Sequence, residues 1–178
     1  GALWGGVWTR DVSYSAILSL SYMVPENVMT SLKVKIDELG RIIQDTGTGG
    51  SGPCSSDRVI WAVAAWKAYL ATGDMQWLRK AYSVVLKSLE SDHHALYDSK
   101  TGLYRGESSF IDWRQQSYPL WMQPADIYMS ECLGTNVVYA KVFETVASMA
   151  GELGEKSVAK EYRGRAAELR KAINENFW

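Results

Sequence analysis

Six stretches of helical periodicity, joined alternately by short turns and long connections, limit this chain to one kind of architecture. After Asp11 an apolar stripe runs through Tyr14, Ile17, Leu18 and Tyr22, and Pro25 stops it. A second helix is expected from Glu26 to about Ile43, carrying Val28, Leu32, Ile36 and Leu39. Ser55-Ser56-Asp57 offers an N-cap for a third, with Val59, Val63, Trp66 and Leu70 on one side and Ile60, Trp61 and Ala64 on others. Gly73 ends it, and Asp74 caps a fourth, amphipathic helix bearing Met75, Leu78, Tyr82, Val85 and Leu89. The fifth reads from about Thr135 through Val138, Val142, Val146 and Ala150 until Gly151 and Gly154 break it. The sixth starts at Lys156 and sets Val158, Tyr162, Ala166, Leu169 and Ile173 opposite a charged face. No strand ladder is evident.

Helices one, three and five have the apolar character of buried helices, whereas two, four and six are half exposed. The turns near Pro25, Thr72-Gly73-Asp74 and Gly151 to Glu155 are short, and the connections from Gln44 to Ser56 and from Tyr97 to about Leu133 are long. The expected fold is all-α: three antiparallel hairpins side by side, short turns at one end and long connections at the other. Topology then brings Asp11, the Gly-rich stretch Thr46 to Gly52 and the segment around Asp112 to a common face, where function gathers on a helical scaffold. The Gly-rich stretch reads as a connector, because no Gly-Lys-Ser/Thr follows it.

Composition narrows the partners. The 178 residues suit one domain, and a net charge of -1 supplies no basic surface for nucleic acid or an anionic membrane. No apolar run reaches membrane length and no basic-then-apolar leader opens the chain, so compartment is left open. Cys54 and Cys132 lie in no metal spacing, and the adjacent His93 and His94 read as an exposed cation pair near a helix C-terminus. No metal set and no cofactor motif is found. Eight Trp and ten Tyr stand against three Phe, a preference for rings with a polar handle that suits carbohydrate.

Two strings carry the chemistry. Trp8-Thr9-Arg10-Asp11 and Glu107-Ser108-Ser109-Phe110-Ile111-Asp112-Trp113-Arg114 each put a carboxylate beside a Trp and an Arg. An aromatic ring covers the apolar face of a pyranose, an Arg and an Asp fork onto adjacent hydroxyls, and a carboxyl held against a Trp keeps its proton near neutral pH. Trp113, Arg114, Tyr118 and Trp121 would form the sugar platform beside such a carboxyl. Glu107 would tune Asp112 or bind sugar, and Glu131 is an orphan carboxylate in the same long connection. Trp61 and Trp66 belong to the core.

The first string, followed by an apolar helix, resembles the same four residues in glucoamylases and related six-hairpin glycosidases, which are α/α toroids of inner and outer helices. The resemblance implies that Arg10 and Asp11 contact the sugar in the cleavage subsite, and the Trp8 ring beside them is expected to cover its apolar face. The second string is similar to the Glu-Ser-Gly-Trp-Asp signature of trehalases and N-glycan-trimming glucosidases, in which the Asp is the general acid, and this gives Asp112 that role. Here one more residue separates the Ser pair from Asp112 and Trp follows it, so a rhamnosidase-like Asp-Trp arrangement is almost as close. A glycogen debranching-like enzyme belongs to the same circle.

On this reading residues 1–178 are a partial toroid catalytic domain, about half of an (α/α)6 ring, acting on an oligosaccharide or glycoconjugate with inversion. The base that activates water lies elsewhere in the ring, and the unclosed edge is expected to self-associate. A glycosidase of this kind leans towards a secreted or periplasmic setting. Two alternatives stand beside it: a non-catalytic helical-repeat interaction or glycan-binding module, and a lyase, epimerase or phosphorylase on the same scaffold. Unequal hairpin separation speaks against a solenoid, whose repeats keep a fixed period.

Overall fold

Three reversals of chain direction build the molecule, and each has a local cause. In a computed structural model that describes residues 5–45, 56–106 and 119–178, the first comes at Val24 (φ -144°), where Pro25 takes the first position of the next helix. At the second, Gly73 adopts a left-handed conformation (φ 67°) and its N–H returns to the Tyr69 carbonyl at 2.7 Å. Asp74 then accepts from the N–H groups of Gln76 and Trp77, at 2.8 and 3.0 Å. At the third, Gly154 (φ 80°) lets the Glu155 N–H reach back to the Ala150 carbonyl at 2.8 Å.

The first helix consists of α1 (Thr9–Ser15), a π-helical turn (Ala16–Leu20) and α2 (Ser21–Met23). It is followed by α3 (Pro25–Lys33), α4 (Ser56–Val59), α5 (Trp61–Thr72) and α6 (Met75–Leu96). A small antiparallel hairpin, β1 (Tyr97–Asp98) and β2 (Leu103–Tyr104), comes next. Then follow α7 (Pro124–Met129), α8 (Leu133–Glu152) and α9 (Lys156–Phe177). The α4–α5 helix is central, with the first helix and α3 on one side and α6 and α8 on the other, while α9 covers α8. No helix among the described residues is long and apolar enough to cross a membrane.

The core explains the Trp usage. Trp61 is fully buried and donates its indole N–H to the Leu32 carbonyl at 3.0 Å; Trp77 donates to Ala65 at 2.9 Å. Each ring fills space between helices while its one polar atom is satisfied. The fully buried Ala62, Ala64, Ala65 and Ala68 leave α5 thin enough for neighbours to pack close on several sides.

Four expectations need correction. The second helix ends at Lys33 rather than near Ile43. Asp37 takes the N–H groups of Leu39 and Arg41 and pairs with the Arg41 guanidinium at 3.1 Å, and an Ile36–Ile42 bridge folds the segment back on itself. Local side-chain bonding outcompetes helix continuation there. The first helix is not buried all round: the π turn, with its i→i+5 spacing, shifts the phase so that Thr9, Ser13, Ala16 and Ser21 face inward while Leu18 and Tyr22 stand in solvent. A hairpin occupies 97–104 where no strand was expected, and α7 interrupts the long connection. Finally, His93 is not a free cation, for reasons given below.

Candidate functional site

Both long connections leave from one end of the array. There the start of α1 meets Asp45, the start of α4 meets the end of α6, and β2 meets the start of α8. The buried Arg58 forms an ion pair with the buried Asp92, which also accepts from the Tyr139 hydroxyl at 2.8 Å. Asn136 clamps Tyr104 from both sides, accepting its N–H at 2.7 Å and donating to its carbonyl at 2.9 Å. Two residues on, Gly106 donates its N–H to the Ser130 carbonyl at 2.8 Å and forms a bridge with Glu131. At the opposite end the short turns adjoin: Lys67 meets the Tyr22 hydroxyl at 3.5 Å, and Tyr69 donates to Glu152 at 3.2 Å.

The Trp8–Asp11 string stands at the long-connection end, and its cap comes from far along the chain. The Thr9 N–H and hydroxyl both meet Asp45 Oδ2 at 2.6 Å, and the other carboxylate oxygen pairs with Lys35. A carboxylate at this point satisfies a helix N-terminal N–H and complements the dipole. Trp8 is 39 % exposed and, with Lys35 and Asp45, lines a cavity of about 440 Å³. The Arg10 side chain is 11 % exposed and that of Asp11 63 %, with Arg10 Nε 3.8 Å from Asp11 Oδ2. Arg10 and Asp11 do not line that cavity; they set a guanidinium and a carboxylate next to each other at the start of α1.

Glu107, Asp112, Trp113 and Arg114 lie outside the described residues, as do Tyr118, Cys54 and the Thr46–Gly52 stretch. Trp121 is 71 % exposed on the turn before α7. Glu131 accepts from the Thr101 hydroxyl at 2.7 Å, so it ties the β-hairpin to the segment leading into α8. Lys35 and Asp45 were not foreseen as neighbours of Trp8, because nothing in the spacing of residues 36 positions apart signals contact. Among the described residues no three His, Cys, Asp or Glu side chains come together to hold a metal ion.

His93 departs most from its expected character. Its ring stacks on Tyr97 at 4.7 Å, and Nδ1 lies 3.2 Å from the Tyr104 hydroxyl. Burial, Arg165 and His94 together hold its pKa below the ordinary 6.5.

The family model of the bacterial alpha-L-rhamnosidase six-hairpin glycosidase domain matches residues 49–178, well over half of the chain. A comparison with curated proteins finds no match.

Proposed function

Because the chain belongs to the bacterial alpha-L-rhamnosidase six-hairpin glycosidase domain family, we propose that its three hairpins form half of an (α/α)6 ring that hydrolyses the bond to a terminal α-L-rhamnosyl residue. Glycosidase chemistry is the family's general activity; the sugar, the inverting course and the residue roles are the proposal. Trp8 would cover the apolar face of the ring, including the methyl group of a 6-deoxy sugar. Arg10 and Asp11 would bind neighbouring hydroxyls.

Asp112 would donate its proton to the glycosidic oxygen as the bond from C1 to that oxygen breaks. A water molecule attacks C1 from the opposite face and yields its proton to a carboxylate outside these residues, across a gap of roughly 6.5–9.5 Å. The products are the free sugar with inverted configuration and the departing alcohol. The observation that best supports this reading is the position of the half-buried Arg10 and exposed Asp11, 3.8 Å apart at the start of an inner helix.

The test is Asp112→Asn in an enzyme holding the complete ring. An amide keeps shape but cannot deliver a proton, so kcat on poor leaving groups should fall about 10²- to 10⁴-fold with KM little changed. Activated aryl rhamnosides should lose much less. Equal loss of binding and rate on every substrate would reduce Asp112 to a contact.

A further inference from the structure

A groove of about 660 Å³ runs along the outer wall between α6 and α9, with no lining residue from the first helix or the Trp8 cavity. Its volume lies within the roughly 300–1,000 Å³ of small-ligand sites. The floor is aromatic, and Arg165 lies across it with its guanidinium carbon 4.7 Å from the Phe143 ring centre and 4.8 Å from that of Tyr162. Arg165 Nη2 donates to the Tyr104 hydroxyl at 3.2 Å. His93 Nδ1 lies 3.2 Å from the same hydroxyl; with that hydroxyl donating to Nδ1, the ring proton sits on Nε2, a donor for a ligand. Tyr97, 38 % exposed and stacked on His93, forms one lip. The exposed carboxylates of Glu90, Glu161 and Glu168 complete the rim, with Glu161 4.0 Å from Arg165.

Charge selects the ligand by elimination. Three rim carboxylates oppose an anion, and the partly buried guanidinium on the floor opposes a cation that reaches past the rim. A wholly apolar guest would strip water from all four charges without replacing its hydrogen bonds. A neutral polyhydroxylated ring meets each demand: its hydroxyls donate to the carboxylates and accept from Arg165 and His93 Nε2, while its C–H face lies on the exposed Tyr97 ring. We propose that this groove binds a neutral mono- or disaccharide at a second site on the outer wall, separate from the Trp8–Asp11 end. The inference does not depend on the rhamnoside reading.

The experiment is an NMR titration of the 178-residue chain with rhamnose, glucose and maltose, with glucuronate and glucosamine as charged controls. The neutral sugars should bind saturably with Kd in the region of about 1–10 mM, and the charged ones more weakly. Tyr97→Ala, and separately Glu161→Gln combined with Glu168→Gln, should each lower affinity at least about five-fold. Tyr97→Phe should retain binding, and Lys67→Ala, outside the groove, should leave it unchanged. The proposal is overturned by no saturable binding of any neutral sugar, by a preference for glucuronate or glucosamine, or by binding that the groove substitutions leave intact. Binding lost only in Arg10→Ala would overturn the outer site while favouring the helix-start site, so the two readings fail separately.

Discussion

At His93, neighbours override what the residue's position in the chain suggests. Two adjacent histidines in the last turn of a helix are placed to be charged, yet Nδ1 faces a hydroxyl already oriented by Arg165. Because the folded pKa lies below the ordinary 6.5, the unfolded chain binds more protons in the interval between the two values. The contribution of His93 to stability is therefore complete above about pH 6.5 and is lost as pH falls through the folded pKa, below which it changes no further. NMR titration should find the imidazole titrating below its neighbour-free value, and Arg165→Gln should raise it. Denaturation across that interval should show a pH slope that His93→Gln flattens; an unchanged slope would show that the His93 titration does not contribute to it. The kinetic counterpart concerns Arg10 and Asp11. In a complete enzyme, replacing either by Ala should raise KM and lower kcat together, since a charge-assisted fork loses geometry as well as energy. Their adjacency at the start of a helix was legible in the sequence; Asp45, which holds Thr9, was not, since its partner is remote.

Among the elements, the long periodic helices α5, α6, α8 and α9 were legible to within a few residues because their apolar spacing and terminal glycines agree. The second helix was overextended because Ile36 and Leu39 continue its register by coincidence, whereas Asp37 and Gly40 (φ 77°) settle the local backbone. Two-residue strands have no period to detect. The hairpin they form is held by Asn136, whose amide satisfies both the N–H and the carbonyl of buried Tyr104 and also donates to the Cys132 carbonyl at 3.0 Å. Asn136→Ala leaves buried backbone groups unpaired and should cost about 2–4 kcal/mol in denaturant unfolding. Gly73→Ala tests a purely conformational effect, since an added Cβ meets nothing within 4 Å. Its left-handed backbone should make the substitution cost about 1–2 kcal/mol. A neutral result at Gly73 would mean that the α5–α6 turn relaxes to another conformation.

For the whole molecule, the three hairpins form a row with α4–α5 at its centre, and among the described residues the first helix packs against α3, α4 and α5. Its outer surface carries Leu18, Tyr22 and Met23, which are 79, 60 and 72 % exposed. Fully burying a side chain such as Leu or Met is worth roughly 1.5–3 kcal/mol, so this strip rewards any surface that covers it. Within the proposed ring it would face another hairpin; in the chain alone the available cover is a second copy. We therefore expect the chain to self-associate in a concentration-dependent way, despite the cost of lost translational freedom. Leu18→Lys together with Met23→Lys should restore a monomer in size-exclusion and sedimentation measurements, because neither side chain contributes to the buried core. The proposed half-ring also limits activity. On that proposal Asp112 would have no carboxylate across the sugar to activate water, and no opposite wall would fix the separation of acid and base. Incubating the chain with aryl rhamnosides should give turnover no greater than background, in the associated form and in the monomeric variant alike. Robust hydrolysis by that monomer would place the base within these residues, and Glu107 and Glu131 would be the first to replace by Gln.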